Sequence, residues 1–273
     1  MKTFIIVSQR NKDITLDINF AKIKNSPLVI FSHGFKGFKD WGPFNTVSNI
    51  FAQSGLNFLK FNFSHNGLSS VNPHEFTDLE AFGNNNITIE LEDLESVIKW
   101  SCQNIADKVD LKQIYLIGHS RGGGISILKA ATNSSIKKLA SWASISDFEK
   151  RIENDKVNIW KKRGVVYVFN SRTNQQMPLY YQFYEDYVNN KFRFSIPNAC
   201  RRLNIPTLIV HGDNDQTVCI NEAEELNKNI LNSILLKIKN ADHVFNTKHP
   251  FNEKLMSNEM KKVIAETISF FKN

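Results

Sequence analysis

The chain has 273 residues, 41% hydrophobic and 22% charged, with a formal net charge of +7; this is enough for one substantial core beneath an ordinary water-facing surface. Its basic residues fall in scattered pairs and one triplet, Lys161-Lys162-Arg163, runs too short to argue nucleic-acid binding. The three cysteines (Cys102, Cys200, Cys219) lack a C-x-x-C spacing and read as reduced, mostly structural thiols, while the apolar run at residues 4–7 is too short for a signal peptide and no longer run approaches a membrane span, so the expected location is cytoplasmic.

Residues 4–7 and 14–20 read as an antiparallel pair turned at Asn11-Lys12-Asp13, with Ile14, Leu16, Ile18 and Phe20 alternating along the second strand. Leu28-Val29-Ile30-Phe31 is continuously apolar, as a strand buried on both faces of a parallel sheet should be. A helical stretch near 47–52 leads to a strand at 56–63. Ile87, Leu91, Leu94, Val97 and Ile98 then recur at helical spacing. Acidic residues cluster early in that helix, where its dipole favours them. A strand at 114–117, a helix after it and a strand near 139–145 follow. Beyond them come a strand at 206–210, a helix at 223–230, a strand at 234–238 and an amphipathic helix at 260–271. This alternation predicts a mostly parallel sheet with helices on both faces, in a single domain covering 1–273.

The rhythm breaks between Asp147 and Leu203, where aromatics such as Trp160, Tyr167, Phe169, Tyr181, Phe183 and Tyr187 crowd an irregular stretch. A structureless loop of that length is improbable in a compact domain. Residues 147–203 therefore read as a small cap inserted above the strand ends. Within it, 165–169 and 178–183 form a hairpin closed by Ser171-Arg172-Thr173-Asn174. Its aromatics serve either as the cap's own core or as walls of a substrate pocket.

Chemistry enters at Gly118-His119-Ser120-Arg121-Gly122, between a predicted strand and a helix that starts with small residues. A strand that turns sharply into a helix while holding a serine at its apex needs small neighbours, and Gly118 and Gly122 supply them. A serine hydroxyl is a poor nucleophile at neutral pH, so it needs a base and an acid to orient that base. With this type of elbow the partners follow in the order acid, then histidine. His243 comes directly after the strand at 234–238, and His249 lies further out in the connecting loop, so His243 is the expected base. Of the two aspartates in His211-Gly212-Asp213-Asn214-Asp215, Asp215 lies far enough past its strand to reach His243, which leaves Asp213 to shape the turn. Two backbone N–H groups must face the developing oxyanion; Arg121, after the serine, and Phe35, in Ser32-His33-Gly34-Phe35-Lys36-Gly37, are the candidates.

The remaining histidines have quieter readings: His65 near the mouth of the site, His74 in a loop, and His33, His119 and His211 in structural hydrogen bonds. Lys36, Lys39 and Arg172 are candidates for recognising a substrate carboxylate, with simple solvation of surface charges as the alternative. There is no H-E-x-x-H, no Cys/His cluster and no glycine-rich phosphate loop, so neither a metal nor a nucleotide is called for.

Four segments, Ser32-His33-Gly34-Phe35, Gly118-His119-Ser120-Arg121-Gly122, His211-Gly212-Asp213-Asn214-Asp215 and Asp242-His243, together resemble the α/β-hydrolase superfamily from Leu28 to Phe271. The His33-Gly34-Phe35 loop, the modest cap and Asn170-Ser171-Arg172-Thr173 look more narrowly like the dienelactone-hydrolase-like serine esterases, including cinnamoyl and feruloyl esterases. Dienelactone hydrolases proper carry a cysteine where this chain has Ser120, which argues against that activity. The resemblance implies the α/β-hydrolase fold and a carboxylesterase that acts on small or medium acyl esters, without a cofactor. A thioesterase or acyltransferase, a small peptidase or amidase, and a non-catalytic binding protein of this fold are the alternatives. The expected partner is a small-molecule ester, with no nucleic acid and no membrane.

Overall fold

The opening hairpin forms as its alternation predicts. In the computed structural model, which describes residues 1–73 and 75–273, β1 (Lys2–Val7) pairs antiparallel with β2 (Asp13–Asn19). His74 lies outside the described residues. The chain continues through β3 (Ser26–Ser32), α1 (Phe44–Gln53), β4 (Asn57–Phe61), α2 (Leu79–Gly83), α3 (Ile87–Asn104), β5 (Val109–His119), α4 (Arg121–Ala130) and β6 (Ile136–Trp142). After β6 come α5 (Val157–Arg163), β7 (Val165–Asn170), β8 (Gln175–Tyr180), α6 (Gln182–Asn189) and α7 (Ile196–Arg202). The sheet then resumes with β9 (Thr207–Gly212), α8 (Ile220–Asn229), β10 (Ser233–Ile238) and α9 (Asn258–Lys272).

Eight strands form one sheet in the order β1-β2-β4-β3-β5-β6-β9-β10. The pairs β1–β2 and β2–β4 are antiparallel, and all the others are parallel. This is the α/β-hydrolase fold. The apolar run of β3 divides by parity: Leu28 and Ile30 join one core with α3 and α4, and Val29 and Phe31 join the other with α1 and α9. The same division holds along β5, where Ile114 and Leu116 lie opposite in sense to Tyr115 and Ile117. A strand covered on both faces has no polar side to show, which is why it reads as continuously apolar.

One edge of the sheet carries buried charge. Asp17 on β2 pairs in register with Lys60 on β4, and Lys39 and Asp40 complete a network in which Asp17 Oδ2 lies 2.6 Å from Lys39 Nζ and 2.7 Å from Lys60 Nζ. Lys39 is thus tied into the fold, contrary to the expectation that it faces substrate or solvent. Burial alone would raise the Asp17 carboxyl, yet the two ammonium groups hold it below the usual carboxylate range.

The two strands of the segment between β6 and β9 pair with each other in a separate sheet. The four-residue turn Ser171–Asn174 falls where predicted, with Asn174 in the left-handed region (φ 53°). The second strand, however, spans Gln175–Tyr180, and Phe183 belongs to α6. Phe183 and Tyr187, four residues apart, bury one face of that helix, and helical spacing overrides the strand reading. Phe183 stacks on Trp160 with ring centroids 6.3 Å apart. Trp160, Phe183, Tyr187 and Phe194 share one contiguous core with α3 and α4, so these aromatics do not form a separate small core.

All three cysteines are unpaired, but only Cys200 is buried, its thiol pushed up to about 12 by that burial. The expectation of mostly structural thiols therefore holds for one of the three. Among the described residues no helix is long and apolar enough to cross a membrane.

Candidate active site

Ser120 stands between β5 and α4 at φ 55° and ψ −123°, a conformation that costs a non-glycine residue on the order of 1–3 kcal/mol. The surroundings enforce it. A Cβ on Gly118 would lie 2.3 Å from the carbonyl oxygen of Gly122, and one on Gly122 would lie 2.4 Å from those of both Ser32 and His33. The strand and helix can meet this tightly only because neither position carries a side chain. The Ser120 N–H donates to the Trp142 carbonyl (2.9 Å), which ties the apex to the end of β6.

His243 arrives from the loop after β10. Asp242 Oδ1 accepts the N–H groups of Val244 (3.0 Å) and Asn246 (2.7 Å), a side-chain turn that shapes this loop. His119 Nε2 lies 3.0 Å from the His243 carbonyl. Burial holds the His119 imidazole down to about 3, so the ring is neutral and Nε2–H donates. Its quiet structural reading stands: it anchors the His243 backbone.

The structure brings Ser120, His243 and Asp215 together. His243 Nδ1 lies 2.7 Å from Asp215 Oδ2, and Nε2 lies 3.0 Å from Ser120 Oγ. The carboxylate accepts at Nδ1–H, which leaves Nε2 as acceptor for the serine hydroxyl. Asp215 Oδ1 accepts the N–H groups of Thr217 and Val218, both at 2.8 Å. Burial would raise this carboxyl, but hydrogen bonds from His211, His243 and the Val218 N–H outweigh it and keep Asp215 well below the usual carboxylate range. Asp213 instead accepts the Asn240 N–H at 2.6 Å, joining the turns after β9 and β10. His211 Nε2 donates to the Val218 carbonyl (2.8 Å), again a structural bond.

Phe35 lies on the turn after β3. A Cβ on Gly34 would sit 2.9 Å from Ser120 Cβ, so glycine lets this turn close directly on the elbow. His33 Nδ1–H donates to the Gly34 carbonyl (2.8 Å) while Nε2 accepts the Phe63 N–H (3.2 Å), with burial holding this ring down to about 4. Arg121 is the first residue of α4, where a backbone N–H has no acceptor within its own helix. Phe35 and Arg121 both line a cavity that includes Ser120 and His243.

The Arg121 side chain has a second connection that the sequence did not disclose. Its Nε donates to buried Glu90 on α3 (2.9 Å), and its guanidinium lies 5.1 Å from the Phe35 ring and 4.8 Å from the Phe183 ring. Glu90 is one of the early acidic residues of α3, read from sequence as complementing the helix dipole. It is instead a buried counter-ion behind the elbow. Nothing in the spacing of α3 distinguishes it from half-buried Glu92, because the distinction depends on a partner 31 residues away.

Two cavities meet at Ser120. One, of about 430 Å³, has apolar walls that include Ile145, Phe148, Leu179, Phe183 and Val218. The other, of about 590 Å³, includes Lys36, Trp41, Arg172, Lys248 and His249. Phe35, Lys36, Ser120 and His243 border both. Lys36 donates to the Phe169 carbonyl (2.9 Å), linking the turn after β3 to β7. His249 Nδ1 accepts the Gly42 N–H (3.0 Å), so it borders the site without joining Asp215. His65 lines neither cavity, contrary to its expected place near the mouth; its Nδ1 lies 2.8 Å from Ser64 Oγ.

The family model described as BD-FAE matches residues 62–230, a span that holds Ser120 and Asp215 but neither Phe35 nor His243. No curated protein matches the sequence significantly. Among solved structures, Est1E from Butyrivibrio proteoclasticus with ferulic acid bound is similar at a TM-score of 0.73 and 17% identity, covering 98% of each chain. A dienelactone hydrolase from Anabaena variabilis is similar at a TM-score of 0.66 and 17% identity, covering 99% of this chain and 97% of that one. The esterase domain of a Rhodothermus marinus protein is similar at a TM-score of 0.67 and 17% identity, covering 98% and 96%. At such identities the likeness is one of fold.

Proposed function

The chain belongs to the BD-FAE family, and from that premise and the site geometry we propose that it is a serine carboxylesterase for small or medium acyl esters. The observation that carries this reading is the hydrogen-bonded series Ser120–His243–Asp215, with distances of 3.0 and 2.7 Å, placed where two cavities meet. Ser120 Oγ attacks the ester carbonyl as His243 Nε2 takes its proton. Asp215 holds the tautomer and stabilises the imidazolium that forms. The N–H groups of Phe35 and Arg121 receive the oxyanion. The imidazolium then protonates the leaving alcohol, and water activated by His243 releases the acid from Ser120. The similar structures include Est1E bound to ferulic acid and an esterase domain, which supports an ester as substrate.

The test is hydrolysis of p-nitrophenyl esters from acetate to decanoate by the protein and by Ser120→Ala, alongside labelling with a fluorophosphonate. Turnover and labelling should both vanish in the variant, and the best chain length sizes the acyl cavity. Labelling of Ser120 without turnover of any ester would move the reading to a thioesterase or amidase. Turnover surviving in Ser120→Ala would overturn the serine mechanism.

A further inference from the structure

Among the described residues, the cations that lie away from bulk water have oxygen partners, with one exception. Lys39 and Lys60 have Asp17 and Asp40. Arg121 has Glu90, and Lys129 has Glu95. Lys36 has the Phe169 carbonyl, and Lys138 has two carbonyls at the end of α9.

Arg172 is the exception. It sits in the turn between β7 and β8, its backbone held by a hydrogen bond from its N–H to Asn170 Oδ1 (3.2 Å). Its guanidinium lies 5.1 Å from the rings of both Phe38 and Phe76. Those contacts fix the group in position and attract its charge, but they satisfy none of its donors. Nη2 is buried without a partner, and no side-chain nitrogen of Arg172 donates to a protein acceptor among the described residues.

Half-buried and borne by a short turn, this group faces the larger of the two cavities at Ser120, whose lining includes Lys36, Arg172 and Lys248 and no carboxylate. A planar guanidinium with free N–H groups at a desolvated wall is matched by an oxyanion that accepts two parallel hydrogen bonds. The neighbouring cavity has mainly apolar walls, and the cations that border it are already partnered: Arg121 by Glu90, Arg151 by Glu222 and Lys36 by the Phe169 carbonyl. A carbonyl held at Ser120 has two substituents, and the site has two cavities, one bordered by the unpartnered Arg172 and the other mainly apolar.

We propose that the ester hydrolysed here is an anionic one: a carboxylate or phosphate on one side of the scissile bond is held by Arg172, and the other side lies in the apolar cavity. This rests on the carboxylesterase reading and makes Arg172 a specificity-determining residue.

Two matched pairs of esters test it and locate the anion. One pair is p-nitrophenyl hydrogen glutarate against p-nitrophenyl pentanoate, with the charge on the acyl side; the other is 4-carboxyphenyl butyrate against phenyl butyrate, with the charge on the alcohol side. In one pair the parent should favour the anionic ester by about tenfold or more in kcat/KM, the effect of one charge-assisted hydrogen bond. Arg172→Gln should abolish that preference through KM while leaving the neutral ester within about twofold, and Arg172→Lys should restore part of it. Benzoate and phenyl phosphate, as inhibitors, separate the two anions: the stronger competitor names the class, and its inhibition should weaken in Arg172→Gln. Equal effects of the substitution on charged and neutral esters, or no anionic preference in either pair, would overturn the proposal. If the parent hydrolyses no ester, the catalytic reading fails separately. Calorimetric binding of the same two anions to the parent and to Arg172→Gln then decides the anion site by itself.

Discussion

Arg121 Nε donates to Glu90 Oε2 at 2.9 Å, and both side chains are at least nine-tenths buried. Burial raises the Glu90 carboxyl, against the opposing pull of Arg121 and Asn85. The charge pair therefore joins α3 to the residue next to Ser120, with the Phe35 and Phe183 rings on the guanidinium. Arg121→Ala keeps the backbone N–H but strands Glu90, a loss of about 3–5 kcal/mol for a broken buried pair. Replacing both partners, Glu90→Gln with Arg121→Met, should recover most of that stability in urea titration. Equal instability of the double and single variants would show that the pair is not the source of the loss.

The Asp215 and Asp213 carboxylates, two residues apart, serve different hydrogen bonds: one holds His243 Nδ1 and the other the Asn240 N–H. Asp215→Asn should lower kcat by about 10³–10⁴-fold, because an amide no longer enforces the tautomer with Nε2 free. Asp213→Asn should leave kcat within about threefold and cost about 1 kcal/mol of stability. Steady-state kinetics on one ester decides, and the reverse ranking would exchange the two assignments.

Gly34 is the third point at which the geometry commits itself. A Cβ there would meet Ser120 Cβ at 2.9 Å and the His119 carbonyl at 3.3 Å. Since Ser120 is fixed by β5 and α4, the turn bearing Phe35 must move away. Gly34→Ala should therefore cost about 10²–10³ in kcat, as loss of one oxyanion donor does, with about 1–3 kcal/mol of overpacking strain. Unchanged kcat in a folded variant would remove Phe35 from the oxyanion site.

Ser120, His243, Asp215 and the turn at Phe35 were legible in the sequence because each lies within five residues after the end of a strand, and strand ends are marked by apolar runs that stop abruptly. The four-residue turn carrying Arg172 was legible for the same reason. What was hidden depends on partners distant in sequence. Lys39 reads as facing substrate or solvent until Asp17 on β2 is placed beside it, and Glu90 reads as a helix-start carboxylate until Arg121 is placed behind the elbow. Phe183 was assigned to a strand because a short aromatic run has no clear period, and its true period of four shows only against Trp160. Periodicity reports which face is buried; it does not report which polar group is buried with it.

Asp93 provides a prediction about stability against pH. It lies on α3 almost fully buried, and its Oδ2 accepts both the N–H (2.7 Å) and the hydroxyl (2.8 Å) of Ser64, while Oδ1 has no partner. Burial raises this carboxyl from 3.8 to about 7, against the pull of the Ser64 bonds and with help from Glu90 and Glu92. Between those two values the folded chain holds a proton that the unfolded chain has released. Its contribution to stability is thus greatest below pH 4 and is lost as pH rises through 7, about 4 kcal/mol in all at 1.36 kcal/mol per unit. In Asp93→Asn the amide oxygen can accept both Ser64 bonds without ever ionising, but its NH₂ group takes the unpartnered position and costs about 1–3 kcal/mol. The variant should therefore be the less stable protein at pH 4 and the more stable one at pH 8, with the crossing seen in urea midpoints measured at half-unit steps. Parallel curves for the two proteins across that range would mean that Asp93 is ionised in the fold throughout.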